Sequence, residues 1–223
     1  MEDPTQVAVH VRRVLDGAGE MHSENEVYCL VRGHSVTVAD CEGCGDYAGA
    51  EIDLAHHRNY VLCKRLTADA ARAAPPARRV LLRRRFVDGV TPGDHTPVWT
   101  IMTPDVWCAR EDLELSTLRR VFAEHAFSGV PVVDDHGRCV GVVSAVDLAR
   151  DDGAAPKRVR DVMSRLTFVL PDNASVSQAA ALMALEHVHR IPIVTDDGHV
   201  AGIVSSIDVL GWLARQDGYV VPR

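Results

Sequence analysis

The stretch GVVSAVD places Ser144 three residues ahead of Asp147, and GIVSSID places Ser205 three residues ahead of Asp208. A serine at the end of a strand, followed by a carboxylate one turn into a helix, supports two kinds of chemistry. In the first, the pair is a reciprocal capping box that satisfies orphan amides and favours the helix dipole. In the second, the helix start takes an anion, the hydroxyl donates to a phosphate, and the carboxylate accepts from two vicinal ribose hydroxyls. The spacing alone leaves both open.

A second constellation lies nearer the start of the chain. Cys29, Cys41, Cys44 and Cys63 fall within about 35 residues. Cys29 and Cys63 sit on apolar, strand-like runs (VYCLV, YVLCK), and Cys41 and Cys44 sit in a glycine-containing knuckle, ADCEGCG. Four thiolates on two strands and a tight turn can converge tetrahedrally on zinc. Metal binding can also supply folding free energy to a short segment with few large apolar residues. With only one C-x-x-C knuckle, a redox or iron–sulfur role and plain reduced cysteines stay open as alternatives. His34, His56 and His57 read as surface histidines that could each replace a cysteine ligand. Cys108 and Cys139 lack such partners, and Cys139, opening an apolar strand, reads as a small core hydrophobe.

The elements that must position these residues are written twice. Met102 recurs as Met163, Pro131 as Pro192 and Asp147 as Asp208, each 61 residues later. The register holds without a gap through Ser116/Ser177, Ala123/Ala184, Gly137/Gly198 and Gly141/Gly202. Each unit opens on an apolar lead-in, VWTIMTP or VRDVMSR. A helix follows. LSTLRRVFAEHAF places Leu115, Leu118, Val121 and Phe122 on one face, and SVSQAAALM starts on a capping-box pattern, Ser175 with Gln178. Two short strands then flank a glycine-containing turn, DDHGR or TDDGH, as in a hairpin. A final helix starts at the serine. The order is strand–helix–strand–strand–helix. Each copy is marginal in size alone, and two copies packed sheet to sheet would share one core.

Repeats of this order, with M-[TS] at the lead-in, a hydrophobic-Pro-hydrophobic-hydrophobic strand and G-h-h-S-x-x-D at the last strand–helix junction, resemble CBS domains, which occur as tandem pairs called Bateman modules. The resemblance covers about half the chain, roughly residues 97–216. It implies an α+β or α/β fold of two packed CBS repeats preceded by a small cysteine-rich β-type domain. The expected segments are 1–66 for the cysteine domain, 67–96 for a linker, 97–155 and 156–216 for the repeats, and 217–223 for a tail. The resemblance also implies an adenine nucleotide (AMP, ADP, ATP or S-adenosylmethionine) as ligand. Asp147 and Asp208 would hold ribose, Ser144 and Ser205 would help with phosphate, and Val130 and Ile191 would line the base pockets. Arg190, which precedes Ile191 where the first copy has Gly129, is a phosphate candidate by its charge and fork geometry. A flat homodimer and an unidentified regulated protein are the expected partners.

Bulk properties narrow the function classes. With 223 residues and a net charge of −7, the chain gives no global case for nucleic-acid binding. Arg78, Arg79, Arg83, Arg84 and Arg85 form a local basic run. It reads as a solvated linker whose arginines pair with the acidic repeats. No apolar stretch approaches the ~20 residues of a membrane helix, and MEDPTQVAVH does not look like a secretory signal. A cytoplasmic setting is therefore expected, where six cysteines would be reduced. No nucleophile–base pattern, phosphate loop or H-E-x-x-H helix is present, so no catalytic residue is expected. The alternative to a sensor is a dimerisation scaffold with a metal-thiolate or redox-sensing domain.

Overall fold

The structure, a computed structural model, describes residues 4–29, 31–53, 58–65, 91–151, 155, 157–165 and 168–221. His56, His57 and the basic run over 78–85 lie outside the described residues. The N-terminal part comprises β1 (Thr5–Leu15), β2 (Met21–Cys29), β3 (His34–Thr37), the short α1 (Val38–Glu42), β4 (Tyr47–Asp53) and β5 (Arg58–Cys63). After α2 (Pro92–His95), the first repeat runs β6 (Asp105–Arg110), α3 (Leu115–His125), β7 (Gly129–Val133), β8 (Cys139–Ser144) and α4 (Ala145–Arg150). After α5 (Val159–Val162) and β9 (Ser164–Arg165), the second runs β10 (Leu170–Pro171), α6 (Val176–Glu186), β11 (Arg190–Val194), β12 (Val200–Ser205) and α7 (Ser206–Gln216). Both repeats thus follow the expected strand–helix–strand–strand–helix order. The second begins on a two-residue strand, where Pro171 has no amide to give a ladder.

One sheet crosses from the N-terminal part into the first repeat. Its order is β3-β2-β1-β6-β7-β8-β9, with β5 also on β1 and β4 on β5. β1 is the branch point. Residues 5–8 pair with β5, and residues 11–15 pair in parallel with β6, from Val11 opposite Asp105 to Leu15 opposite Ala109. The second repeat forms its own sheet, β10-β11-β12.

The expected single core is instead three. The first repeat buries Leu115, Leu118 and Phe122 of α3 against Val130, Val132 and Val143. The second buries Ala179, Leu182 and Met183 of α6 against Ile191, Ile193 and Val204. Between the sheets, Val106, Cys108 and Val133 meet Val200, and Val14 of β1 joins them. The reason is geometric. Each short sheet has two apolar faces, one covered by its own helices and the other by the opposite sheet and β1.

The lead-in segments are exchanged between repeats. Val98 and Met102 belong to the second repeat's core, and Val159 and Met163 to the first repeat's. Thr103 forms a two-hydrogen-bond bridge to Ile203, and Ser164 pairs with Val142. Glycine makes the approach possible on both sides. A Cβ at Gly202 would stand 2.6 Å from Met102 Sδ and 2.9 Å from the Thr103 carbonyl oxygen. One at Gly141 would stand 2.8 Å from the Ser164 carbonyl oxygen and 3.0 Å from Met163 Sδ.

A polar network fastens the N-terminal strands to the hairpin tips of both repeats. Arg12, 2% exposed, donates to Glu24 through Nε (3.1 Å) and Nη2 (2.7 Å), and through Nη1 to the Gly137 carbonyl oxygen (2.9 Å). Its Nη2 also lies 2.8 Å from Glu26, which meets His199 Nδ1 at 2.8 Å. Ser35 donates its amide and hydroxyl to Asp197 at 2.6 and 3.1 Å. β1 therefore buries His10 and Arg12 rather than its valines at 7, 9 and 11.

Candidate functional site

The two serine–aspartate pairs are built alike. β8 ends at Ser144 and α4 begins at once; β12 ends at Ser205 and α7 begins. Ser144 Oγ accepts from the Asp147 amide, while Asp147 Oδ2 accepts from the Ser144 amide (2.8 Å) and hydroxyl (2.6 Å). In the second copy, Asp208 Oδ2 accepts from the Ser205 amide at 2.7 Å and from its hydroxyl at 2.5 Å. The capping boxes read from the sequence are thus formed in both repeats. Their carboxylate bonds to the capping serine all fall on Oδ2.

The copies differ in what surrounds them. Arg190 opens β11 but reaches over to the first repeat, where its Nη2 donates to Ser128 Oγ at 2.8 Å. Nη1 lies 1.7 Å from where a Cβ on residue 129 would be, so only glycine at 129 admits it. Burial pulls the guanidinium below its ordinary value, and the Asp147 carboxylate acts in the opposite direction. Nη1 is buried and has no hydrogen-bond partner among the described residues. The structure thus brings Arg190 onto Ser128 and Gly129 of the first repeat, across the repeat boundary. Position 129 is glycine, so the first repeat offers no matching arginine toward Asp208. Sequence reasoning had both halves of the signal, an arginine and a glycine at matched positions, without the direction of the side chain. Val130 (5% exposed) and Ile191 (0%) are buried in the two repeat cores.

The four N-terminal cysteines line one cavity of about 270 Å³, together with Val7, Val27, Val61, Arg32 and Arg65. Cys29 ends β2, Cys63 ends β5, Cys41 lies in α1 and Cys44 follows it, so the expected tight turn is in part a helical turn. All six cysteines are free thiols. Burial, then the thiols of Cys29, Cys44 and Cys63, push Cys41 above the ordinary thiol value, against an opposing pull from Arg32. Among the described residues, the group of metal-ligand side chains with donor atoms within 4.8 Å of one another is Asp16, Glu20 and His22. The four sulfurs ring their cavity without closing on one point. His34 is exposed on β3, with Nδ1 at the Arg32 carbonyl oxygen.

Cys108 and Cys139 belong to the cluster between the sheets. Burial drives the Cys108 thiol far up and pushes Cys139 up to about 12. Native alkylation near pH ~8 is expected to leave both unlabelled, because only the thiolate reacts. Labelling of either, followed by mass spectrometry, would show that the sheets part readily.

Comparison with known proteins agrees with this architecture. The family model described as CBS domain matches residues 98–152 and 159–215, about half of the chain. An uncharacterised protein of Methanocaldococcus jannaschii is 30% identical over 122 residues, which is 55% of this chain and 41% of that protein. The chain therefore spans under half the length of that relative. A solved structure described as CBSX2 in complex with AMP superposes with a TM-score of 0.51 and 27% identity, covering 56% of this chain and 99% of that one. The CBS domain pair of protein MJ0100, in complex with 5-methylthioadenosine and S-adenosylmethionine, gives a TM-score of 0.51 at 24% identity, covering 54% of this chain and 98% of that one. No helix among the described residues is long and apolar enough to cross a membrane.

Proposed function

The chain belongs to the CBS domain family, and from that premise we propose that it is a non-catalytic regulatory protein whose paired repeats bind an adenine nucleotide or S-adenosylmethionine. The observation that carries the reading is Arg190, which reaches over to Ser128 of the first repeat, within the field of Asp147, with a buried Nη1 that has no hydrogen-bond partner among the described residues. A buried guanidinium N–H without an acceptor is costly, and a phosphate or carboxylate oxygen of a ligand would supply one. Asp147 Oδ1 would accept from ribose hydroxyls and Ser144 would face the phosphate. Ser205 and Asp208 would form a second cleft without the arginine. The AMP complex of a 27% identical relative supports the ligand class.

Ligand binding would matter by favouring one relative placement of the repeats, since a ligand shifts an equilibrium only through differential affinity. The N-terminal strands are bonded to the hairpin tips of both repeats through Arg12, Glu26 and Ser35. They would carry that change toward a regulated protein. A homodimer would form through α7, whose Ile207, Leu210 and Leu213 are exposed apolar residues. The setting would be cytoplasmic.

The test is isothermal titration of the full chain with AMP, ATP and S-adenosylmethionine. Asp147→Ala and Arg190→Ala are each expected to weaken binding about tenfold or more, the effect of losing one charge-assisted hydrogen bond. Asp208→Ala should weaken it less. If Asp147→Ala leaves affinity unchanged and only lowers the melting temperature, the aspartate is a helix cap and the sensor reading fails. Absence of any binding at millimolar ligand would favour the scaffold.

A further inference from the structure

We propose that Cys29, Cys41, Cys44 and Cys63 form a tetrathiolate site for a single zinc ion that holds the N-terminal strands together. This goes beyond the nucleotide reading and does not depend on it. Four cysteines from four separate positions line one cavity: the end of β2, α1, the loop after α1 and the end of β5. Three of those positions are also joined by backbone bonds. The Cys44 amide donates to the Cys41 carbonyl oxygen at 3.0 Å, and the Tyr47 amide donates to that of Cys44 at 3.1 Å. Tyr47 is paired with Cys63 in the β4–β5 ladder. After Cys29 the chain turns sharply, with the Gly33 amide bonded to the Cys29 carbonyl oxygen at 2.7 Å. The four residues are thus held around one cavity by two strand ends, α1 and the turn that follows it.

The cavity is a poor apolar core. Its large buried side chains are Val27 and Val61, and its four cysteines are only half-buried. Among the described residues of the N-terminal strands, the fully buried apolar side chains are few, and a unit of this size needs a staple. A disulfide is not that staple here, since every thiol is free. Zinc fits the donor set: it takes thiolate sulfur in tetrahedral geometry and needs no open position in a structural site. On binding, each thiol gives its proton to solvent. A zinc ion with four thiolates carries a net charge of −2, and Arg32 and Arg65, which line the same cavity, are placed to offset it. The ion would sit at the end of β1 that pairs with β5, so it would stiffen the strand from which Arg12 reaches the first repeat's hairpin tip.

The test uses the full chain, expressed with zinc and separately with cobalt, and assayed for metal by mass spectrometry. About one zinc per chain is expected. The cobalt form should show the thiolate charge-transfer band and the strong d–d bands of a tetrahedral tetrathiolate. Cys41→Ser, Cys44→Ser and Cys63→Ser should each lower bound zinc to less than about a tenth of that, while Cys139→Ser should keep it in full. Because the serine variants could misfold, the cobalt spectrum of the unaltered chain is the independent measurement. Zinc-free protein whose cobalt form is spectrally featureless would overturn the proposal. So would stoichiometric iron in place of zinc, or full zinc content in the Cys41→Ser and Cys44→Ser variants. Nucleotide titration of the same samples separates failure of this site from failure of the sensor reading.

Discussion

Gly202→Ala is expected to destabilise the fold by about 3 kcal/mol, the combined effect of overpacking and of two weakened hydrogen bonds. The new Cβ would meet Met102 Sδ at 2.6 Å and the Thr103 carbonyl oxygen at 2.9 Å. The sulfur could swing aside, but the carbonyl is backbone. It accepts from the Ile203 amide at 3.1 Å, and the Thr103 amide donates back at 2.8 Å. Moving it breaks the bridge and lifts the lead-in segment off the second core. For a chain of this size the melting temperature should fall by roughly 6–12 °C. Gly141→Ala should act in the same way, because its Cβ would meet Met163 and the Ser164 carbonyl oxygen. Gly211→Ala is the control. It lies inside α7, where a Cβ would meet only the end of the Arg215 side chain at 3.3 Å, so alanine should stabilise by up to about 1 kcal/mol. Thermal unfolding of the three variants checks the ordering. Equal effects of Gly202→Ala and Gly211→Ala would mean that the lead-ins do not seat as described.

Arg12→Ala should be as damaging, at about 3 kcal/mol, the low end for breaking a buried ion pair, since Glu24 is partly exposed. Three groups lose the guanidinium at once: Glu24, the Gly137 carbonyl oxygen, and Glu26, which keeps His199. Arg12→Lys should recover little, because a single ammonium cannot replace a fork that reaches all three. The loss should appear first as exchange of the β1 and β2 amides with deuterium. Retained protection there would refute the role given to Arg12. The same interface gives an acid limb. Burial works to raise Asp197, but hydrogen bonds from Thr195 and Ser35 and the nearby His199 hold it below its ordinary value of 3.8. Its contribution is therefore present above that ordinary value and is lost as pH falls through the lowered one. Asp197→Asn should flatten stability against pH in that window, and an unchanged acid limb would show that other carboxylates set it.

Much of the repeat architecture was legible because it is local. Helix faces, both capping boxes and both hairpin glycines follow from spacings of three or four residues, and the constant offset of 61 residues made each copy a check on the other. What stayed hidden is non-local. β1 pairs with β6 some 90 residues on, and no short-range pattern announces a partner at that distance. The valines at 7, 9 and 11 of β1 even mislead: beside Val14 and Leu15, the side chains buried are the polar His10 and Arg12. Arg190 could be ranked as a candidate by its charge, but its reach onto Ser128 depends on the absence of a side chain at Gly129, which lies in the other repeat.

The exchange of lead-in segments bears on how the chain is made. Met102 finds its seat only when Gly202 is available, and the first repeat's core is incomplete until Val159 and Met163 arrive. During synthesis the first repeat's core is therefore complete only once Met163 has emerged, whereas the lead-in that carries Val98 and Met102 stays uncovered until nearly the whole second repeat has followed. Contacts this distant along the chain slow folding and prolong the time that apolar surface is open to other chains. Every nascent copy then passes through an interval in which its first lead-in waits for the second repeat, and in that interval a neighbouring copy carrying the same segment is a competitor for the seat.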